Sequence, residues 1–398
     1  MHIHIHRGQN QIGGSVIEIS TNTSKLIFDA GTELDEAEQI NIPQIEGLFV
    51  GQKNYDAVFV SHYHSDHTGL LNYLVNDIPV YMGEKAFNIL KSAYEYRKIN
   101  LTFTPGYIYH KQTIKIGDIS VTPILCDHSA FDSYMFIIEA ENKRILYTGD
   151  FRANGRADFN ILINELPEVD AVIIEGTTLT RDNNIQNIEE KKLEDIAVNF
   201  LKNHNGPTFV IMSPMNVDRL KTVENISKRT NRILLEDLYT AKIATASDCA
   251  VPDRNKNIRV FMTKGDSEYD ELCKYGDAKI SREKISEEKF IMCIRSSMKS
   301  YLEKLNKLLS FKDGVLFYGM WKGYMEQPQL KDFIKFMKNK GVKLHILHTS
   351  GHADSMTIDK LIKKVKPKFI LPVHTENAEW FNRYNKNILI SNEAKINI

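Results

Sequence analysis

Cysteine is scarce in this sequence and scattered where it occurs. Cys126, Cys249, Cys273 and Cys293 include no CxxC pair, which argues against a disulfide framework and against a cysteine-built zinc site. Reduced thiols of a cytosolic protein are the plain reading. Long apolar runs are also missing. None approaches the roughly 18–20 residues that span a bilayer, and Met1-His2-Ile3-His4-Ile5-His6 lacks the charged-then-apolar layout of a secretory leader. The expectation is a cytoplasmic protein with no membrane partner. An excess of charge of one sign is absent too, with 51 Lys+Arg against 51 Asp+Glu. The chain as a whole therefore gives no basic signal for nucleic acid, and any such affinity has to be local. No internal repeat or low-complexity segment is present.

What is there is an ordinary globular composition, 42% apolar and 26% charged over 398 residues, enough for two domains. Short apolar runs at residues 15–19, 25–28, 57–60, 114–122, 136–140, 144–147 and 171–174 read as strands. The alternating histidines at the N-terminus read as a half-exposed strand rather than a metal tract. After Glu175 the pattern changes. Residues 189–201 and 217–230 carry apolar side chains at helical spacing, and 208–212 and 232–235 are strand-like. That βαβ alternation predicts a mostly parallel sheet. Residues 255–288 are polar and fit no pattern. The alternation resumes at 290–294, 298–309, 314–318 and 329–340, and two late runs, 344–347 and 369–371, precede His348 and Pro372. The expected division is a first domain over 1–180, an inserted α/β domain over 181–340, and a return to the first domain over 341–398.

Histidine and aspartate are crowded into His62-Tyr63-His64-Ser65-Asp66-His67, directly after a buried run. Imidazole nitrogen and carboxylate oxygen are natural ligands for zinc and similar divalent ions. A loop at a strand end can turn His62 and His64 one way and Asp66 and His67 another, which suits two adjacent metals. His128 and Asp150 also follow apolar runs. Taken singly each is a common loop residue, and their value lies in the set.

In order and approximate spacing, His62, His64, Asp66, His67, His128 and Asp150 resemble the ligand motifs of the metallo-β-lactamase superfamily, and Asp29 in Ile27-Phe28-Asp29-Ala30-Gly31 looks like its first, supporting motif. The resemblance implies an αββα sandwich with two zinc ions. One is held by His62, His64 and His128; Asp66 and His67 serve the other, and Asp150 bridges. Iron or manganese could replace zinc at such sites. Three later residues, Glu175, His352 and His374, look like the additional motifs of the β-CASP nucleases, a group that includes ribonuclease J and the endonuclease of messenger-RNA 3′-end processing. There an α/β domain is inserted between the first and second of these motifs, the interval in which 181–340 falls. The resemblance implies that His374 completes the second metal's ligands and that His352 contacts the scissile phosphate or protonates the leaving oxygen. Glu175 would orient His352. The catalytic residues would be Asp66, His352 and Glu175.

A histidine at the position of His374 goes with RNA-processing members, so the implied partner is single-stranded RNA. The implied reaction is phosphodiester hydrolysis by a two-metal-activated hydroxide. Ser350 and Gly351, together with Ser213 and Asn216 at a helix start, are candidate phosphate contacts; helix capping is the plainer role for the latter pair. The basic run at residues 363–368 reads as a solvated helix end or a groove contact. Ribonuclease J proteins usually carry a further C-terminal domain beyond the stretch this sequence covers. The alternatives are hydrolysis of a smaller phosphodiester or cyclic nucleotide, a DNA nuclease, and a silent subunit of a nuclease pair. A homodimer is left open.

Overall fold

The computed structural model describes residues 1–34, 40–180, 186–384, 386–389 and 396–398. Its chain divides into two compact units. The first comprises 1–153, 157–187 and 351–398, and the second 154–156 and 188–350.

The first unit opens with β1 (His2–Arg7), β2 (Val16–Ser20), β3 (Lys25–Phe28), β4 (Ala57–Phe59), β5 (Val80–Gly83) and β6 (Gly106–Ile108). They hydrogen-bond in sequence order, antiparallel from β1 to β3 and parallel from β3 to β6. The next strands are β7 (Ile114–Ile116), β8 (Ile119–Cys126), β9 (Ser133–Ala140), β10 (Lys143–Tyr147) and β11 (Ala171–Glu175). The run 114–122, expected as one strand, is a hairpin. Gly117 sits at φ +57 and turns the chain so that Ile116 pairs with Ile119, and a glycine free to adopt positive φ outweighs the alternation around it.

The second unit is built on β12 (Thr208–Ile211), β13 (Ile233–Asp237), β14 (Ile258–Phe261), β15 (Phe290–Ile294), β16 (Val315–Tyr318) and β17 (Lys343–Ile346). Its sheet order is β14-β13-β15-β12-β16-β17, with every pairing parallel. Central strands buried on both faces need continuous apolar runs, and β12, β15 and β16 are buried throughout. Helices such as Glu190–Leu201, Val217–Arg229 and Pro328–Asn339 supply the apolar faces that cover the sheet. The polar stretch 255–288 contributes the edge strand β14 and a series of short helical turns.

The chain then returns to the first unit with β18 (Phe369–Val373), β19 (Asn387–Ile388) and β20 (Ile396–Asn397). β18 pairs in parallel with β11, which gives the second sheet the order β19-β18-β11-β10-β9-β8-β7, and β20 joins β1 at the edge of the first. The two sheets face each other across one core that includes Ile3, Ile17, Phe28, Phe59, Phe136 and Ile173. Helices Phe159–Glu165 and Ser355–Val365 cover the outer face of the second sheet, and Glu84–Tyr96 packs on β5. This is the αββα sandwich with an α/β insertion. The sequence reading drew its boundaries at 180/181 and 340/341. The first falls at the edge of residues 181–185, which lie outside the described residues. At the second, pairing of β17 with β16 keeps residues 343–346 with the inserted sheet, and the unit runs to Ser350.

One buried ion pair ties the second unit together. Arg219, fully buried, donates to both carboxylate oxygens of Glu190 at 3.1 and 2.9 Å and to the carbonyls of Gly319 and Leu347 at 2.9 and 2.8 Å. Replacing Arg219 by Ala strands a buried carboxylate and should lower the unfolding free energy by about 3–5 kcal/mol. A urea titration checks this, and a loss under about 1 kcal/mol would show that Glu190 finds other compensation.

Candidate metal centre

The loop after β4 is held from behind before it presents anything. Asp29, at the end of β3, adopts φ +61, a left-handed conformation that aspartate tolerates better than most residues. Its carboxylate, fully buried, accepts from the Ser61 N–H and Oγ at 2.7 Å each, from His67 Nδ1 at 2.7 Å and from the Tyr147 hydroxyl at 2.5 Å. Gly31 is required by close approach, since a Cβ there would lie 1.6 Å from the Asp66 carbonyl oxygen. Backbone bonds complete the clamp: Ala30 N–H to His67 O, Thr32 N–H to Ser65 O and Ser15 N–H to Asp66 O. Ser65–Thr68 forms a single helical turn behind His64, which sends the side chains of 62 and 64 and those of 66 and 67 to different sides.

Two groups of ligand-type atoms result. His62, His64 and His128 form one; Asp66, His67, Asp150 and His374 form the other, the atoms of each lying within 4.8 Å of one another. Asp150 Oδ2 lies between them, 3.3 Å from His67 Nε2, 3.7 Å from His374 Nε2, 3.8 Å from His62 Nε2 and 4.0 Å from His128 Nε2. His374 projects from just beyond β18 at φ +50, its N–H donating to Gly8 O at 2.6 Å.

The hydrogen bonds fix the imidazole tautomers. His67 Nδ1 faces a carboxylate and so carries the proton. Ser61 Oγ gives its own proton to Asp29 and therefore accepts from His62 Nδ1 at 3.0 Å. His128 Nδ1 donates to Gly351 O at 2.6 Å. Thr177 Oγ1 donates to Glu175 Oε2 at 2.7 Å and accepts from His374 Nδ1 at 2.8 Å. Each of these four rings thus turns Nε2 inward, the arrangement of metal-binding histidines whose other nitrogen is occupied. The Nε2 atoms of His62 and His67 and Asp150 Oδ1 are buried with no hydrogen-bond partner, a costly state for polar atoms that a cation relieves. Donor type, tautomer and unpaired inward atoms all fit divalent metal.

The electrostatics agree. Burial holds His62, His128 and His64 below the usual histidine range, His64 at about 4, so they stay neutral as ligands must. Burial also works against ionised Asp66 and Asp150, but neighbouring His67 and His374 outweigh it and keep both ionised. At His67 burial opposes the charge, and Asp150, Asp29 and Asp66 overcome it. The pocket is one that attracts positive charge.

His352 stands at the rim with 22% of its side chain exposed, its Nδ1 3.2 Å from Glu175 Oε2 and 3.6 Å from Asp150 Oδ2. Burial lowers its proton affinity, but Glu175 and Asp150 together push its pKa up to about 9. Glu175 is fully buried and also accepts from the Phe151 N–H at 3.0 Å. All the residues named from the sequence as ligands, with Asp29, Glu175 and His352, thus meet in the first unit. The candidate phosphate contacts divide differently. Gly351 uses its carbonyl on His128. Ser213, Asn216 and Ser350 belong to the second unit, where Asn216 caps helix Val217–Arg229 by accepting from the Arg219 N–H at 3.0 Å and the Ser350 carbonyl accepts from Asn154. Lys363, Lys366 and Lys368 of the basic run pair with Asp359, Glu168 and Asp170. Ser61, Tyr147 and Thr177 were not anticipated. Each acts at least in part through a residue distant in sequence, Asp29 for Ser61 and Tyr147 and His374 for Thr177, and nothing local marks it.

Residues 11–196 match the model of the metallo-β-lactamase superfamily, and residues 342–389 match that of the Zn-dependent metallo-hydrolase RNA specificity domain. Ribonuclease J of Sinorhizobium meliloti is 20% identical over 87% of this chain and 62% of its own length. For ribonuclease J 2 of Streptococcus pyogenes the figures are 21%, 93% and 68%, and for ribonuclease J of Helicobacter pylori 22%, 93% and 55%. The chain thus spans between about half and two thirds of these relatives. A crystal structure titled as a protein of unknown function from Enterococcus faecalis V583 superposes with a TM-score of 0.83 over 99% of both chains at 22% identity, a likeness of fold. No helix among the described residues is long and apolar enough to cross a membrane.

Among the described residues Asp29 is in neither group of ligand-type atoms and meets the centre through His67 Nδ1, so its role is separable from direct coordination. Asp29→Ala should weaken divalent-metal affinity by about 10–100-fold, measured by competition with a chelator. Unchanged affinity would leave the Asp29 clamp without a part in metal binding.

Proposed function

We propose that the chain is a zinc-dependent ribonuclease that hydrolyses phosphodiester bonds in single-stranded RNA, a reading supported by the match of residues 11–196 to the metallo-β-lactamase superfamily and by the ribonuclease J relatives. The observation that carries the reading is the position of Asp150, within 4.0 Å of imidazole nitrogens from both ligand groups, with His352 beside it on the exposed side. The match of residues 342–389 to an RNA specificity domain favours RNA over a small phosphodiester.

In this reading His62, His64 and His128 would hold one ion, and Asp66, His67 and His374 with Asp150 would hold the other. Divalent ions bound there would supply an activated water and offset charge on the phosphate oxygens. The chain's own part is positioning and proton handling. Asp29, Ser61, Thr177 and the Gly351 carbonyl set the tautomers, so the ligands need no rearrangement. His352, held by Glu175 and protonated at neutral pH in the protein alone, stabilises the anionic phosphate and gives a proton to the leaving oxygen. Glu175 acts through His352 and is a positioning residue. Ser213, Asn216 and Ser350, within the second unit, remain candidate phosphate contacts.

The test is cleavage of an end-labelled single-stranded RNA, its DNA equivalent and a small aryl phosphodiester, with metal content measured on the same sample. RNA cut in preference to DNA, activity lost on chelation and about two zinc ions per chain are expected. Turnover of the small ester alone would transfer the function to a small-molecule hydrolase.

Two variants separate the parts. Asp150→Ala should abolish both activity and tight metal binding while the fold survives. His352→Ala should keep its metal and lose about 10²–10⁴-fold in kcat; wild-type turnover in that variant would remove His352 from the reaction.

A further inference from the structure

On the first sheet, well apart from the centre in sequence, lies a second gathering of ligand-type side chains. β1 alternates, with Ile3 and Ile5 buried in the core and His2, His4 and His6 on the opposite face. The antiparallel register sets His4 directly across from Glu18 on β2. His6 Nε2 lies 3.1 Å from Glu18 Oε2, and the rings of His4 and His6 are 4.1 Å apart between centroids. One ligand atom from each of His4, His6 and Glu18 falls within 4.8 Å of the others. A tetrahedral ion with bonds of about 2.0–2.2 Å holds its ligands roughly 3.3–3.6 Å apart, so small rotations of two rings suffice.

We propose that His4, His6 and Glu18 form a further divalent-cation site, for zinc or a neighbouring late first-row metal. Glu18 is 3% exposed, and its side-chain oxygens accept from the Ser20 hydroxyl at 3.1 Å and the Tyr55 hydroxyl at 3.0 Å. Such donors orient a ligating carboxylate as outer partners do at metal sites. Two imidazoles and one carboxylate are a zinc ligand set with one position left over, and the half-exposed histidines put that position on the solvent side. The N/O donors, with no thiolate, admit zinc, nickel or copper rather than calcium or magnesium, which prefer all-oxygen sets. Bound there, the ion would staple β1 to β2. Two residues beyond His6, the Gly8 carbonyl receives the His374 N–H, so the stapled strand also supports a residue of the main centre.

The experiment is a titration of metal-free protein with zinc against a chromophoric chelator. The wild type should take up one equivalent more than a His4→Ala/His6→Ala variant, and His2→Ala, whose residue faces Ser20 instead, should match the wild type. Equal uptake by wild type and double variant overturns the proposal. Crystals of the wild type soaked in zinc decide independently of any folding defect in the variant. An anomalous peak among His4, His6 and Glu18 supports the site, and its absence there sinks it. Because the readout is a difference at β1 and β2, its failure leaves the count at the His62–Asp150 centre untouched.

Discussion

The Asp29 carboxylate is the interaction on which the first unit's chemistry depends. It is fully buried, a position that is costly for a polar group unless its hydrogen bonds are met. It is met by four donors, and each comes from a part that has to be in place: the Ser61 backbone, the Ser61 hydroxyl, His67 and Tyr147 on β10. The first three belong to the metal loop and the last to the facing sheet. One side chain thus joins the loop to both layers of the sandwich. It also sets the proton positions on His67 directly and on His62 through Ser61. The loop cannot shift without leaving this carboxylate unpaired, which is why a flexible-looking segment can hold a fixed ligand geometry.

The rest of the centre is assembled the same way, from strand ends. Asp150 follows β10, Glu175 ends β11, His128 follows β8 and His374 follows β18. Adjacent strands deliver residues far apart in sequence: β11 and β18 pair with Glu175 opposite Val373, which puts Thr177 within reach of both Glu175 and His374. These contacts depend on the pairing of β11 with β18. This is also the reason for the positive φ at His374. The chain has to turn its ligand back toward the loop immediately on leaving the strand, and the backbone cost of that turn is offset by the packing that encloses it.

How much of this could be read from the sequence depends on how local each feature is. The cluster at residues 62–67 is contiguous and announces itself. Asp29, Asp150, Glu175 and His374 are single residues at strand ends, legible through family resemblance and not through any property of their own neighbourhoods. Gly31 belonged to a recognisable motif, but its need for closeness to Asp66 is a tertiary fact. The parallel character of the inserted sheet followed from helix and strand periods, whereas edge strand β14 hid in a polar stretch because an edge needs only one apolar face. The N-terminal histidines were read as a half-exposed strand, and they form one. Their neighbour Glu18 was invisible beforehand, since it is the register between β1 and β2 that sets it opposite His4, and register is not written in either strand alone.

Charge is where the chain's composition and its proposed substrate have to be reconciled. A neutral protein has no general pull on a polyanion, and the densest basic run is committed to carboxylates of its own unit. Attraction to phosphate has to arise at the centre. There the carboxylates of Asp66 and Asp150, held ionised by neighbouring histidines, would repel phosphate on their own, and divalent ions held between the ligand groups would offset that charge. In the proposed reading metal would therefore govern substrate access as well as chemistry, and the half-exposed His352 would mark the side from which phosphate arrives.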